Sequence, residues 1–273
     1  MGFLDGKVAF ITGAARGQGR SHALALASEG ADIIAVDLCG QIDTVDYPLA
    51  TEEDLRQTVN EVETLDRRIH AQVADVRDFD QLESAYKAGV AQVGPVDIII
   101  ANAGICLLGS REPTPPQSFR DVIDVNLVGV WNTVYVAAQD MVDRGTGGSI
   151  VLTSSTQGLI GRGSDGTAGA VGYAAAKHGV VGLMRSFANW LSPYNIRVNT
   201  VNPTGVRSPM TMNDVVGRHI VDNPAVVKMA ENLMPVDLIE PIDVTNSVLF
   251  LVSDKARYIT GIALPVDAGH TAR

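Results

Sequence analysis

Tyr173 and Lys177 stand four residues apart in the run Tyr173-Ala174-Ala175-Ala176-Lys177. The run is expected to open a helix, on which that spacing places both side chains on one face, one turn above the other. A phenol, with an ordinary pKa of about 10, is a poor base at neutral pH, but an adjacent ammonium favours the phenolate. The pair suits proton exchange with an alcohol or carbonyl oxygen. Ser155 follows the apolar run Ser149–Ser154, and a hydroxyl there can hold a substrate oxygen beside the phenol. Ser154 is the alternative hydroxyl. Taken singly, Ser155 reads as an ordinary loop-start serine, so its value comes from its companions.

A second cluster lies near the start of the chain. Thr12-Gly13-Ala14-Ala15-Arg16-Gly17-Gln18-Gly19 joins the strand-like Lys7–Ile11 to the helix-like His22–Ala27. Glycine is needed where backbone approaches a phosphate closely or takes positive φ, and a helix starting at the turn aims its free N–H groups at the anion. Gly13, Gly17 and Gly19 fit, although the spacing is GxxxGxG and not GxGxxG. Asp37 ends the next strand-like run, where a carboxylate accepts hydrogen bonds from an adenosine ribose and repels a 2′-phosphate. Arg16 pulls the other way, because a guanidinium can pair with that phosphate. Asp37 would lie directly against the 2′ position, which favours NAD over NADP.

These residues must be placed by a frame, and alternation in the sequence supplies one. Residues Val8–Thr12, Asp32–Asp37, His70–Ala74, Val96–Ala101, Ser149–Ser154, Arg197–Val201 and Ile262–Val266 read as strands separated by amphipathic helical stretches. Such alternation argues for one α/β domain, 1–273, with a doubly wound parallel sheet of about seven strands covered by helices on both faces. The near-continuous apolarity of Asp97–Ala101 and Ser149–Leu152 marks central strands. Thr51-Glu52-Glu53-Asp54 resembles a capping box, and Pro241 fits the first turn of a helix. Two stretches lack periodicity: Leu38–Ala50, either a functional cover or a surface insertion, and Gly161–Gly169, a loop preceding the Tyr173 helix. Met210, Met212, Val215, Val216, Met229, Leu233 and Met234 give residues 206–234 the character of an adaptable apolar lid, or of helix packing.

Composition narrows the partners. A formal charge of −10 with no basic run disfavours nucleic acid and anionic membrane. Cys39 and Cys106 are the two cysteines, with no metal-ligand spacing, and read as small core or pocket-wall residues in a reducing compartment. No basic leader and no apolar run of membrane-spanning length is evident, so a cytoplasmic location is expected.

Thr12–Gly19, Asp75-Val76, Asn102-Ala103-Gly104, Asn126, Ser155, Tyr173/Lys177 and Pro203–Met210 occur in the order of the short-chain dehydrogenase/reductase family, which the chain resembles over nearly its whole length. The resemblance implies a Rossmann-type domain and hydride transfer between NAD and a secondary alcohol or ketone. By it, Tyr173 is the acid/base, Lys177 tunes it and holds the nicotinamide ribose, Ser155 holds the substrate oxygen, and Asn126 anchors a relay water. It further implies that the backbone at Gly17 and Gln18 meets the pyrophosphate and that Asp75 and Val76 flank the adenine. Asn102, Ala103 and Gly104 line the adenosine side, and Val206 addresses the carboxamide with Ser208 nearby. Leu38, Thr153, Pro203, Thr204, Gly205 and Met210 complete the implied contacts. Three features depart from the family pattern: Ala101 replaces an Asn, the loop from Ser155 to Tyr173 is longer than usual, and Pro203-Thr204-Gly205-Val206 replaces a Pro-Gly turn.

Gly13–His22, the insertion after Asp37, Ala101–Cys106 and Ala176–Gly182 look like the mycofactocin-associated, carveol-dehydrogenase-like branch. That narrower resemblance implies an apolar terpenoid- or steroid-like alcohol, a segment covering slowly exchanging NAD and a mycofactocin-type redox partner. The family also implies a homotetramer whose contacts come from late helices and the last strand. Two rivals share parts of the pattern: a redox-neutral NAD-dependent epimerase or dehydratase, and an NAD-binding sensor without turnover.

Overall fold

The structure is a computed structural model describing residues 2–162 and 164–272. Its strands are β1 (Val8–Thr12), β2 (Asp32–Asp37), β3 (Ile69–Val73), β4 (Ile98–Ala101), β5 (Gly148–Thr153), β6 (Ile196–Pro203) and β7 (Ala263–Val266). They form one parallel sheet in the order β3-β2-β1-β4-β5-β6-β7. The expected strands are all present, with ends shifted by one or two residues. β6 alone runs further than expected, to Pro203.

Successive side chains on a strand face opposite sides, so an interior sheet needs apolar residues at every position. Phe10, Ile34, Ile99 and Ile150 belong to the core on one face, while Ala9, Ile11, Ile33, Ile100 and Val151 belong to the core on the other. α6 (Ala168–Leu191) brings Val180, Met184 and Leu191 to the first face, and α1 (Gly17–Ser28) brings Ala23 and Leu26 to the second. The sequence order turns back between β1 and β4. In such sheets the crevice outside the carboxyl strand ends at this switch is where ligands bind.

Helix starts follow local chemistry where local chemistry suffices. Thr51 and Asp54 form the expected capping box on α2 (Glu52–Glu63), Asp78 caps α3 (Phe79–Val93) by accepting the Gln81 N–H at 3.1 Å, and Pro241 opens α9 (Pro241–Val252). α6 begins five residues before Tyr173, so Tyr173 sits in its second turn and does not open the helix. Its first N–H groups are capped both locally and from a distance: Thr167 accepts from Ala170 at 3.3 Å, and Glu112 accepts from Ala168 and Gly169 at 2.8 and 2.5 Å. α4 (Pro115–Ile123) runs into α5 (Gly129–Arg144) through a π turn over Asp124–Val128, where the Gly129 N–H bonds the Asp124 carbonyl.

Residues 38–50 are held at several points and contribute Ile42, Val45 and Tyr47 to the core. Thr44 Oγ1 donates to Asp121 at 2.7 Å, the Arg111 N–H donates to Asp46 at 2.7 Å, and Arg16 donates to the Pro48 carbonyl at 2.7 Å. The segment is a packed wall, not a loose surface excursion. Between β6 and α9 the chain forms α7 (Asp214–Asp222) and α8 (Pro224–Met229). Val215 is buried there, whereas Met212, Leu233 and Met234 are more than half exposed, so much of this apolar set is not core. Among the described residues no helix is long and apolar enough to cross a membrane.

Candidate active site and cofactor cleft

A cleft opens at the carboxyl ends of β1, β2 and β4. Gly13, Arg16, Gly17, Gln18, Asp37, Leu38, Asp75, Val76, Asn102, Ala103, Gly104, Ser208 and Met210 all line it. The glycine turn makes close backbone approach possible. Gly13 holds φ +68° with a hypothetical Cβ 2.8 Å from the Ala103 Cα, and a Cβ on Gly19 would collide with the Gly13 carbonyl. Gly17, at φ +56°, begins α1 and turns that helix's N–H groups toward the cleft.

Asp37 is fixed rather than free. Its Oδ2 accepts the Ala15 N–H at 2.9 Å and its Oδ1 the Cys39 N–H at 3.3 Å, and burial raises its pKa against those bonds. Arg16, the residue that competes in a cofactor-preference argument, spends its guanidinium on Pro48 and ties the glycine turn to the 38–50 wall. Asp75 is engaged by Arg77 at 2.6 Å. Asn102 links three strands, donating to the Thr12 and Gly13 carbonyls at 3.2 and 3.3 Å and accepting from Thr153 Oγ1 at 3.4 Å.

Ser155, Tyr173, Lys177 and Asn126 gather beyond the end of β5. The Ser155 hydroxyl lies near enough to the Tyr173 phenol to oppose the rise in its pKa, and its Oγ accepts the Gln157 N–H at 3.1 Å. Ser154 Oγ instead donates to the Lys177 carbonyl at 2.9 Å, which turns it toward the α6 backbone and leaves Ser155 as the hydroxyl at the phenol. Lys177 Nζ donates to the Thr153 carbonyl at 2.8 Å and lies 5.5 Å from the Tyr173 ring centre. Burial lowers its pKa to about 8. Asn126, fully buried in the π turn, donates to the Ile105 carbonyl at 2.8 Å and accepts the Ile105 N–H at 3.0 Å.

The electrostatics differ from the sequence expectation in one respect. Lys177 was expected to lower the Tyr173 phenol. Burial raises it instead, the Cys106 thiol adds to that, and the neighbouring Ser155 hydroxyl is the opposing influence. The physical reason is that Lys177 is itself desolvated and directs Nζ to Thr153.

Gly19, Thr153, Tyr173, Lys177 and Pro203–Val206 do not line this cleft itself. Gly19 packs beneath the turn, and Thr204 Oγ1 donates to Asn232 at 2.9 Å. The parallel bridge of Val206 with Ile239 is closed through the Gly205 carbonyl and the Arg207 N–H, not through the Val206 N–H. Sequence reasoning missed Gly40, Ile42, Tyr47, Leu49, Ile105 and Val125 as cleft walls. Of these, Tyr47 carried a signal: an aromatic residue in a segment otherwise rich in turn formers.

The positive-φ glycines, the helix start and a buried carboxylate suit a dinucleotide, and the acid–base pair beyond β5 suits an alcohol or ketone. The comparisons agree. Residues 7–218 match the family model described as short chain dehydrogenase. The chain belongs to the short-chain dehydrogenase family. It is 53% identical over 268 residues to an uncharacterised oxidoreductase of Mycobacterium tuberculosis, covering 97% of this chain and 96% of that one. It is 46% identical over 282 residues to (-)-trans-carveol dehydrogenase of Rhodococcus erythropolis, covering all of both chains. The crystal structure of carveol dehydrogenase from Mycobacterium avium in complex with NAD superposes with a TM-score of 0.92 at 47% identity and full coverage of both chains. As a short-chain dehydrogenase the chain is an oxidoreductase, and its relatives belong to the carveol-dehydrogenase-like part of the family.

Proposed function

We propose that this short-chain dehydrogenase interconverts an apolar secondary alcohol and its ketone with NAD. The observation that carries the reading is the meeting of the Ser155 hydroxyl, the Tyr173 phenol and buried Lys177 beside a glycine-turned cleft. Gly13–Gly19 and Asp37 hold the dinucleotide, with Asp75, Val76 and Asn102–Gly104 along its adenosine half. Residues Thr153, Lys177 and Pro203–Met210 serve the nicotinamide half. NAD supplies the hydride acceptor or donor. Ser155 orients the substrate oxygen, and Tyr173 takes the alcohol proton or returns it to the ketone.

The phenol raised by burial is protonated at neutral pH, which suits proton donation to a ketone, whereas alcohol oxidation needs the phenolate and is favoured as pH rises. Lys177 contributes positive charge below pH about 8 and holds Thr153 in place. Asn126 fixes the loop after β4 through Ile105, and beside it supports the proton relay.

The substrate is of carveol type, which the similarity to carveol dehydrogenases supports. The packed wall at 38–50 retains the NAD, so that reoxidation passes to an external redox partner of the mycofactocin type. The enzyme works in the cytoplasm as a homotetramer.

A panel of carveol-like and steroidal secondary alcohols, assayed with added NAD and separately with an artificial electron acceptor, tests this. Turnover to ketone is expected, with the acceptor required if NAD is retained. Tyr173→Phe should lose roughly 10²- to 10⁴-fold in kcat with folding intact. Wild-type rates in that variant would remove Tyr173 from the mechanism.

A further inference from the structure

Tyr47 has no part in the acid–base set, yet residues 38–50 bury it to 3% exposure. A buried phenol needs a partner for its hydroxyl. Tyr47 finds one in the loop after β4, where the Cys106 N–H donates to it at 3.2 Å. One residue earlier, Ile105 gives both backbone groups to the Asn126 amide. Before that comes Gly104, where a Cβ would stand 2.7 Å from Asn126 Oδ1 and 3.7 Å from Lys177 Nζ. The Cys106 thiol lies within electrostatic reach of Tyr173 and Lys177, and Tyr47 within reach of Tyr173. Three consecutive residues thus connect the inserted wall to the catalytic side chains.

We propose that Tyr47 is a positioning residue for hydride transfer: its hydroxyl holds Gly104–Cys106 in the register that seats Asn126 and Lys177. This rests on the alcohol/ketone reading above. Removing the hydroxyl strands the Cys106 N–H, which the loop relieves by shifting, and a misplacement of about 1 Å at reacting groups costs on the order of 10²-fold in rate. The tie from Thr44 to Asp121 of α4 holds the same wall without touching this loop, and so serves as the control.

The test compares Tyr47→Phe and Thr44→Val with wild type, each saturated with NAD. Hydride transfer is followed as NADH absorbance in a single turnover, together with kcat, KM and the isotope effect for an alcohol deuterated at the reacting carbon. Tyr47→Phe is expected to slow transfer roughly 10- to 100-fold, with KM for the alcohol little changed and a larger isotope effect on kcat. Thr44→Val should keep the wild-type rate. Independently of turnover, alkylation of the half-buried Cys106 thiol should quicken at least about tenfold in Tyr47→Phe and not in Thr44→Val. Wild-type transfer and alkylation rates in Tyr47→Phe, or equal losses in both variants, would overturn the proposal. If Tyr47→Phe does not fold, Tyr47→Met carries the same readouts. A wild type inactive on every alcohol would sink only the alcohol reading, because the thiol rate still judges the loop.

Discussion

Lys177 carries a cost that the fold accepts. It is 3% exposed, and burial lowers its pKa from 10.5 to about 8. Between those values the unfolded chain keeps a proton that the folded chain sheds, so this group makes stability rise with pH from about 8 to 10.5, by about 3 kcal/mol in all. Below pH 8 both states are charged and the penalty is complete. Lys177→Met removes that pH-dependent difference, while stranding the Thr153 carbonyl costs about 1–3 kcal/mol. The expected result is a neutral-pH stability within about 2 kcal/mol of wild type, a loss of most activity, and no rise of the Lys177 kind in urea melts between pH 8 and 10. An unchanged pH slope would show that Lys177 is not held against its charge. Asp37 is the other residue whose position dictates an outcome. Its carboxylate is fixed by Ala15 and Cys39 at the cleft wall, and in the proposed placement of NAD it opposes a 2′-phosphate. Asp37→Asn keeps the acceptor for Ala15 and removes the charge, so the preference for NAD over NADP should narrow roughly a hundredfold in kcat/KM. An unaltered ratio would move discrimination elsewhere in the cleft.

At the scale of elements, α1 and α9 are joined through a buried histidine. His22 Nδ1 meets Thr245 Oγ1 at 2.8 Å, Ser21 Oγ meets the same oxygen at 2.7 Å, and Thr245 donates onward to the Pro241 carbonyl at 2.9 Å. Burial depresses the His22 pKa from 6.5 to about 3. The unfolded state therefore binds a proton that the folded state refuses, and stability falls as pH drops from 6.5 toward 3, by about 3 kcal/mol at pH 4.5. His22→Leu should cost about 1 kcal/mol at pH 7 from the lost hydrogen bond, yet melt less steeply with acid, and denaturant titrations at pH 7 and 4.5 would read the difference. Parallel acid sensitivity in the two proteins would place the acid-labile group elsewhere. Such long-range contacts also mark where the sequence stops being legible. The strands could be read because residues such as Ile98–Ile100 and Ile150–Leu152 must be apolar on both faces, and the Thr51–Asp54 cap because it is local. The start of α6, five residues before Tyr173, is held in part by Glu112, distant in the chain, which takes the Ala168 and Gly169 N–H groups beside the local Thr167 cap. The π turn at Asn126 is set by the Ile105 backbone, and the fate of Tyr47 by Cys106, neither of which leaves a periodic trace. The residues of the site were legible as types and order, while their electrostatics, above all the raised phenol of Tyr173, depended on burial that only the packed molecule defines.

Two groups of exposed apolar side chains bear on assembly. In one, Trp131 and Tyr135 of α5 stack at 4.6 Å between ring centres, and Trp190 of α6 lies 6.4 Å from Tyr135. These three rings are 37%, 49% and 37% exposed, too much aromatic area for a surface with no partner. The other surface belongs to the late helix and last strand: Ile242 and Phe250 of α9, Tyr258, and Ile262 beside β7 are between 36% and 88% exposed. A closed tetramer of identical chains with dihedral symmetry needs at least two different self-complementary contacts, and a dimer needs one. Two separate surfaces therefore fit the proposed homotetramer better than a dimer. Tyr135→Glu places a charge in the first surface, and Tyr258→Glu does so in the second, without disturbing either core face. Each variant should reduce the mass seen by light scattering from four chains to two, through different dimers, and the double variant should reach one chain. A wild-type mass of a single chain across the micromolar range would end the assembly proposal, and loss of all four-chain mass to monomers in either single variant would mean that one surface alone carries the contacts.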